Sequence, residues 1–219
     1  MTRITVRSVA ELAITCGLVL AVFVFYLLVW TNHRTAAAQD DLRAAFQDQQ
    51  RHEQGGKRGP AGDGPPDSGE GFGILHIPAL GEWSWVVVEG VADEDLARGP
   101  GHFPDTALPG EVGNFAVAGH RATHGEPFAD LDRLEEGDPV VVETVEGWLV
   151  YQVTWVRILS PSATEVLAPV AGHPGARARQ RTMTLVTCHP RWSSSERLVV
   201  GAQLVERRGA DDGPPSVLG

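Results

Sequence analysis

Residues 12–30 (LAITCGLVLAVFVFYLLVW) carry no charge over nineteen positions. As an α-helix such a run is about 28 Å long, close to a hydrocarbon core of roughly 30 Å. It is apolar on every face, which rules out an amphipathic core helix and marks a membrane anchor. Tyr26 and Trp30 stand near its outer end, where amphipathic rings favour the interface. Arg3 and Arg7 precede the run; Arg34, Asp40 and Asp41 follow it. This modest positive-inside bias places the N-terminus in the cytoplasm and the bulk of the chain outside. A cleaved signal peptide is the alternative. Ala36-Ala37-Ala38 is compatible with a cleavage site, but the apolar region of a signal spans only about 7–15 residues.

The remainder divides by composition. Residues 1–34 form the cytoplasmic tip and the anchor. Residues 35–71 read as a flexible extracytoplasmic stalk: 40–50 (DDLRAAFQDQQ) can continue as a short helix, and 51–71 are Gly/Pro-rich, polar and without apolar period. Residues 72–208 read as one globular domain, and 209–219 (GADDGPPSVLG) as a disordered tail. Within the domain, short runs rich in Val, Ile, Thr and Trp recur at 73–77, 83–89, 114–120, 139–145, 148–159, 182–188 and 198–206. Such residues favour strands. Glu146-Gly147 separates two of the runs as a hairpin turn would. Helical signals are short, at 93–98, 127–134 and 162–167, and no strand–helix alternation of βαβ length occurs. The fold class is therefore all-β or β-dominated, a barrel with small helical insertions. A formal net charge of −10 argues against a nucleic-acid partner, which needs a basic face to displace counterions.

The two cysteines, Cys16 and Cys188, lie in the anchor and in the domain, so a membrane keeps them apart. A lone thiol in an exported domain is either used or deeply buried. Cys188 ends a strand-like run, and Pro190, which cannot donate to a sheet ladder, follows closely. That is a place for a supported nucleophile. A nearby imidazole can take its proton and later protonate the leaving amine. His120 closes another run after a small pair (AGH, 118–120), while His102 and His124 are runners-up. Acyl transfer also needs a donor for the developing oxyanion. Arg197 opens the last run nine residues after Cys188, with Arg191 and Arg121 as rivals.

With TLVTC at 184–188, AGH at 118–120 and Arg197 in that chain order, the sequence resembles the sortases. The segments 101–121 (GHFPDTALPGEVGNFAVAGHR) and 184–200 (TLVTCHPRWSSSERLVV) are similar to the class E members of high-GC Gram-positive actinobacteria. The resemblance implies an eight-stranded β-barrel and a transpeptidase. In it Cys188 attacks the Thr–Gly carbonyl of a C-terminal sorting signal, His120 acts as acid and then base, and Arg197 stabilises the oxyanion or orients the substrate. It further implies an LAxTG-like signal in preference to LPxTG. The partners would be secreted proteins bearing the signal and an amine acceptor such as a peptidoglycan precursor. Ala118, Val186, Thr187 and Phe103 are carried over as substrate-binding positions; related sequences often have Tyr where Phe103 stands. No cofactor or metal site is expected. An Asp-Pro-aromatic lid, frequent in pilin-polymerising relatives, is missing before the first strand run. A hydrolytic cysteine endopeptidase on the same scaffold stays open, because an acceptor amine contributes no residue to the chain. A non-enzymatic surface module would predict an inert buried thiol. The Ser-His-Gly-Cys pattern of L,D-transpeptidases is not matched, since Leu-Val-Thr precedes Cys188.

Overall fold

The structure, a computed structural model, describes residues 2–54 and 66–219. It opens with α1 (Thr2–Gln54). Eight strands follow: β1 (Gly71–His76), β2 (Ser84–Glu89), β3 (Gly101–His102), β4 (Gly113–Ala118), β5 (Pro139–Thr144), β6 (Gly147–Leu159), β7 (Arg181–His189) and β8 (Glu196–Gly209), with a single-turn helix α2 (Asp93–Leu96) between β2 and β3. They close into a barrel in the order β1-β2-β3-β4-β7-β8-β6-β5. The pairs β2–β3 and β4–β7 are parallel and the other pairs antiparallel. Seven strands coincide with the runs legible in the sequence. The eighth, β3, has two residues, too short for any alternation to register.

Alternation along each strand sends one set of side chains inward. Val117, Leu185, Leu198 and Val200 meet Phe115, Phe128, Tyr151 and Met183 in the barrel core. The phenol of Tyr151 is buried there and accepts a hydrogen bond from the Gly110 amide at 2.8 Å. Burial pushes its pKa up to about 12.

Two regions depart from the sequence expectation. Residues 35–54, expected in a flexible stalk, continue α1 without interruption and lie against the barrel wall. Thr35, Gln39, Leu42 and Phe46 form one stripe at helical spacing, and all four are buried. Leu42 and Phe46 pack with Ile74, Val86 and Val88 on the outer side of β1 and β2. The stalk looked solvated because only two residues of this stripe are apolar; its polar members bond to backbone instead. The Gly/Pro-rich stretch at 55–65 lies outside the described residues. At the other end, β8 runs on to Gly209, and the chain continues through 3-10 turns at Ala210–Asp212 and Ser216–Leu218 where a disordered tail was expected. Asp212 caps the first turn by accepting from the Gly209 amide at 2.9 Å. Residues 217–219 share a groove with His76 and Trp83.

Candidate active site

The parallel pair β4–β7 sets the geometry. Its register places Ala118 beside Val186. Beyond it the Gly119 amide donates to the Val186 carbonyl at 3.1 Å. His120 follows two residues past the end of β4, and Cys188 stands two residues past Val186 on β7; Arg121 Nη1, next to His120, donates to the Cys188 carbonyl at 3.5 Å. On the other side of β7, Cys188 pairs directly with Arg197 of β8, and Val186 with Val199. The three residues singled out in the sequence thus come from three adjacent chain segments at one rim of the barrel.

Period-two alternation separates this rim from the core. Val117, Leu185 and Leu198 point inward, so Ala118, Val186, Cys188, Arg197 and Val199 share the opposite face. There Phe103, Val186, Arg197 and Val199 line a cleft of about 180 Å³ together with residues 159–161, 163–164 and 166–167. Ala118 neighbours Val186 in register but is not part of the cleft lining. Thr187 departs from the expectation of a groove position. It alternates to the interior, is 3% exposed, and its Oγ1 donates to the Gly119 carbonyl at 2.7 Å. It ties β7 to the residue before His120 and does not face a peptide.

The Arg197 guanidinium is held by its Nη1, which donates to the Ser194 and Glu196 carbonyls at 3.0 Å each. Among the described residues, Nη2 and Nε make no hydrogen bond, so this side of the fork is available to an incoming oxygen. The rival arginines are occupied. Arg121 is buried, with Nη2 2.8 Å from Asp132 Oδ2 and Nη1 2.7 Å from His189 Nδ1. Its Nε donates to the Ala129 carbonyl at 3.3 Å. It is a clamp between the end of β4 and the end of β7. Nothing in the sequence separates that task from catalysis, since AGHR reads the same either way. Arg191 is paired with Glu126.

His120 is half-buried, and its ring stacks on His124 with centroids 4.6 Å apart. Burial lowers its pKa below the ordinary histidine value, the neighbouring His124 lowers it further, and Asp93 opposes both. His124 and Glu126 are both left-handed, with φ of 53° and 54°, a conformation that non-glycine residues avoid. The Glu126–Arg191 pair and the His120–His124 stack hold this strained turn. His102, the other runner-up, is 1% exposed and sits inside the wall. Its Nδ1 is 2.6 Å from Glu89 Oε2, and its Nε2 is 2.9 Å from Thr106 Oγ1. It fixes the backbone leading to Phe103 and does not reach the rim.

A closed barrel with a rim thiol, a nearby imidazole and a cross-strand guanidinium brings together the groups that nucleophilic acyl transfer on a thiol uses. The Sortase domain model matches residues 75–205, and the chain belongs to the sortase family. It is 39% identical over 220 residues to sortase SrtE1 of Streptomyces coelicolor, covering 97% of this chain and 60% of that protein. It is 36% identical over 229 residues to sortase SrtE2 of the same organism, covering 99% of this chain and 90% of that one. The structure of sortase E1 from Streptomyces coelicolor with a tripeptide in the active site superposes with a TM-score of 0.64 at 40% identity, over 69% of this chain and 98% of that one.

Proposed function

We propose that this chain is a membrane-anchored transpeptidase that cleaves an LAxTG-like sorting signal between Thr and Gly and transfers the Thr carbonyl to a cell-envelope amine. The observation that carries the reading is the Cys188–Arg197 cross-strand pair with His120 just past the end of the parallel neighbour, beside a cleft that Arg197 itself lines. In the proposed sequence the peptide enters the cleft along Phe103, Val186 and Val199. Cys188 Sγ attacks the Thr carbonyl, and His120 accepts the thiol proton as the bond forms. An imidazole whose protonation is disfavoured by burial holds that proton only briefly and passes it to the departing Gly nitrogen. The free donors of Arg197 face the oxyanion. An amine then attacks the thioester, with His120 taking its proton, and the new amide leaves Cys188 as the thiol. Residues 12–30 hold the enzyme in the cell membrane with the barrel outside. The similarity to class E proteins supports the LAxTG preference and a cell-wall acceptor in place of a pilin.

The test uses a fragment from Thr31 onward, which retains the docked half of α1. It is incubated with an LAxTG peptide and an amine, and the products are weighed by mass spectrometry. A Thr-to-amine product that vanishes in Cys188→Ala is expected. Cleavage without ligation would move the reading to a hydrolase, and reaction with LPxTG alone would overturn the signal assignment.

A further inference from the structure

The helix that would cross the membrane is also the helix that grips the barrel. Residues 12–26 and Trp30 are exposed, and Asn32 already touches the barrel. Asn32 Oδ1 accepts from the Gly125 amide at 3.0 Å. Thr35 Oγ1 donates to the Ala97 carbonyl at 2.7 Å. At about 1.5 Å per residue, Asn32 and Thr35 stand about 3 and 8 Å beyond Trp30. The headgroup layer outside the hydrocarbon is about 5–8 Å thick on each side. The turn that carries His124 and Gly125 is therefore held at headgroup level.

Topology extends this from one turn to the whole rim. Further out, Gln50 Nε2 reaches Glu143 Oε1 at 2.9 Å, near the β5–β6 hairpin. Glu143 pairs with Trp148, and Gly147 pairs with Gly209. Gln50 stands about 27 Å further along the helix axis than Asn32, and the register Val86–Ile74–Glu143 shows that α1 crosses the strands between the two. The rim is placed near Asn32 by its own contacts: Gly125 follows His120 by five residues, and Arg121 Nη1 donates to the Cys188 carbonyl at 3.5 Å. The ends of β4 and β7 that carry His120 and Cys188 thus belong to the near end. At this end the β7–β8 loop carries Trp192, 73% exposed, with residues 193–196 also exposed. Its ring lies 5.7 Å from the Arg191 guanidinium, and Arg191 pairs with Glu126, next to the Gly125 that Asn32 binds.

We infer that the cleft-bearing rim rests on the bilayer surface, with Trp192 seated among the lipid headgroups as a second anchor beside Tyr26 and Trp30. An exposed indole gains most at that boundary, where its ring meets acyl chains and its N–H meets water. The docked half of α1 acts as a strut that fixes the orientation, so the enzyme meets both substrates at the membrane surface. This rests on residues 12–30 being a membrane span.

The test uses the full chain with Cys16→Ser and Cys188→Ala, reconstituted in vesicles of phosphatidylethanolamine and phosphatidylglycerol. A fluorophore is placed at one cysteine at a time: Trp192→Cys at the near rim, Glu146→Cys at the far hairpin, and Phe23→Cys in the apolar run. Quenching is compared between headgroup-attached nitroxide lipid, acyl-chain nitroxide lipid and aqueous iodide. The proposal expects position 192 to be quenched by headgroup nitroxide several-fold more than position 146, and position 146 to be quenched mainly by iodide. Equal responses at 192 and 146, with position 23 quenched by acyl-chain nitroxide, would overturn the seating while leaving the anchor intact. Loss of lipid quenching at position 23 as well would overturn both, and so marks failure of the anchor.

Discussion

Gln39 performs a task that sheets normally assign to a strand. On β2, Val86 directs its N–H and C=O away from β1, and the short β3 reaches only Val88 and Glu89. The Gln39 carboxamide fills the gap: Val86 N–H donates to Oε1 at 2.8 Å, and Nε2 donates to the Val86 carbonyl at 3.1 Å and to the Arg98 carbonyl at 2.8 Å. Gln39→Leu keeps the approximate volume and removes all three bonds. If α1 stays docked, one amide and two carbonyls lose their partners in a buried seam, each at about 1–3 kcal/mol, with carbonyls at the low end. If α1 lifts away instead, those groups hydrate, but Leu42 and Phe46 lose burial worth about 1.5–3 kcal/mol each. The chain takes the cheaper route, and both cost about 3 kcal/mol or more. Urea unfolding of the fragment from Thr31 onward measures the loss. Hydrogen exchange at the Val86 amide, now paired by a side chain alone, should accelerate in parallel. A change within about 0.5 kcal/mol, with Val86 exchange unaltered, would refute the assignment of Gln39 as a strand substitute.

The remaining predictions concern the rim and the core. His120 should titrate below the ordinary histidine midpoint by NMR; His124→Asn, which suits the left-handed turn, should raise that midpoint, and Asp93→Asn should lower it. Thr187→Val leaves the Gly119 carbonyl one donor short and should cost about 1–2 kcal/mol in denaturation while lowering kcat, because the strand end carrying His120 loosens. Arg121→Met should destabilise by about 2 kcal/mol, less than for a fully buried ion pair because Asp132 is half exposed, and Cys188 alkylation should change rate as the end of β7 shifts. Tyr151→Phe should abolish the tyrosine that titrates at about 12 and cost about 1–3 kcal/mol through the orphaned Gly110 amide.

Seven of the eight strands were legible because β-branched and aromatic runs punctuated by Gly and Pro carry a local signal. The positions of Cys188, His120 and Arg197 were legible because each residue stands at the edge of such a run, and the structure puts them on adjacent chain segments. Thr187 was misplaced for a reason inside the same rule. Adjacent residues on a strand face opposite sides, so a motif read as a block, TLVTC, mixes groove and core positions. Applying alternation outward from Cys188 would have assigned Val186 to the cleft and Thr187 to the interior. The helix stripe was illegible because Thr35 and Gln39 have no hydrophobic signature. Their value lies in backbone groups more than 45 residues away that only the closed barrel exposes to them.

Strand direction explains why a strut matters to this site. His120 and Cys188 share a rim because β4 and β7 run parallel; in an antiparallel pair the ends of the two strands would lie at opposite rims. Parallel neighbours need a long crossover, here residues 119–180, and that crossover wraps β5 and β6 around the barrel. The imidazole and the thiol thus arrive at one edge by a path of many weak sheet contacts, with Thr187–Gly119, Gly119–Val186, Arg121–Cys188 and Arg121–His189 among the direct ties between the two strand ends. A site assembled this way tolerates little movement at its open side. The turn after His120 is strained, carries the stacked His124, and is gripped from outside by Asn32 and Thr35 through Gly125 and the neighbouring Ala97. The same few residues of α1 therefore brace the base of the proposed catalytic pair and, in the proposed seating, set its height above the bilayer, so releasing the helix should disturb both at once.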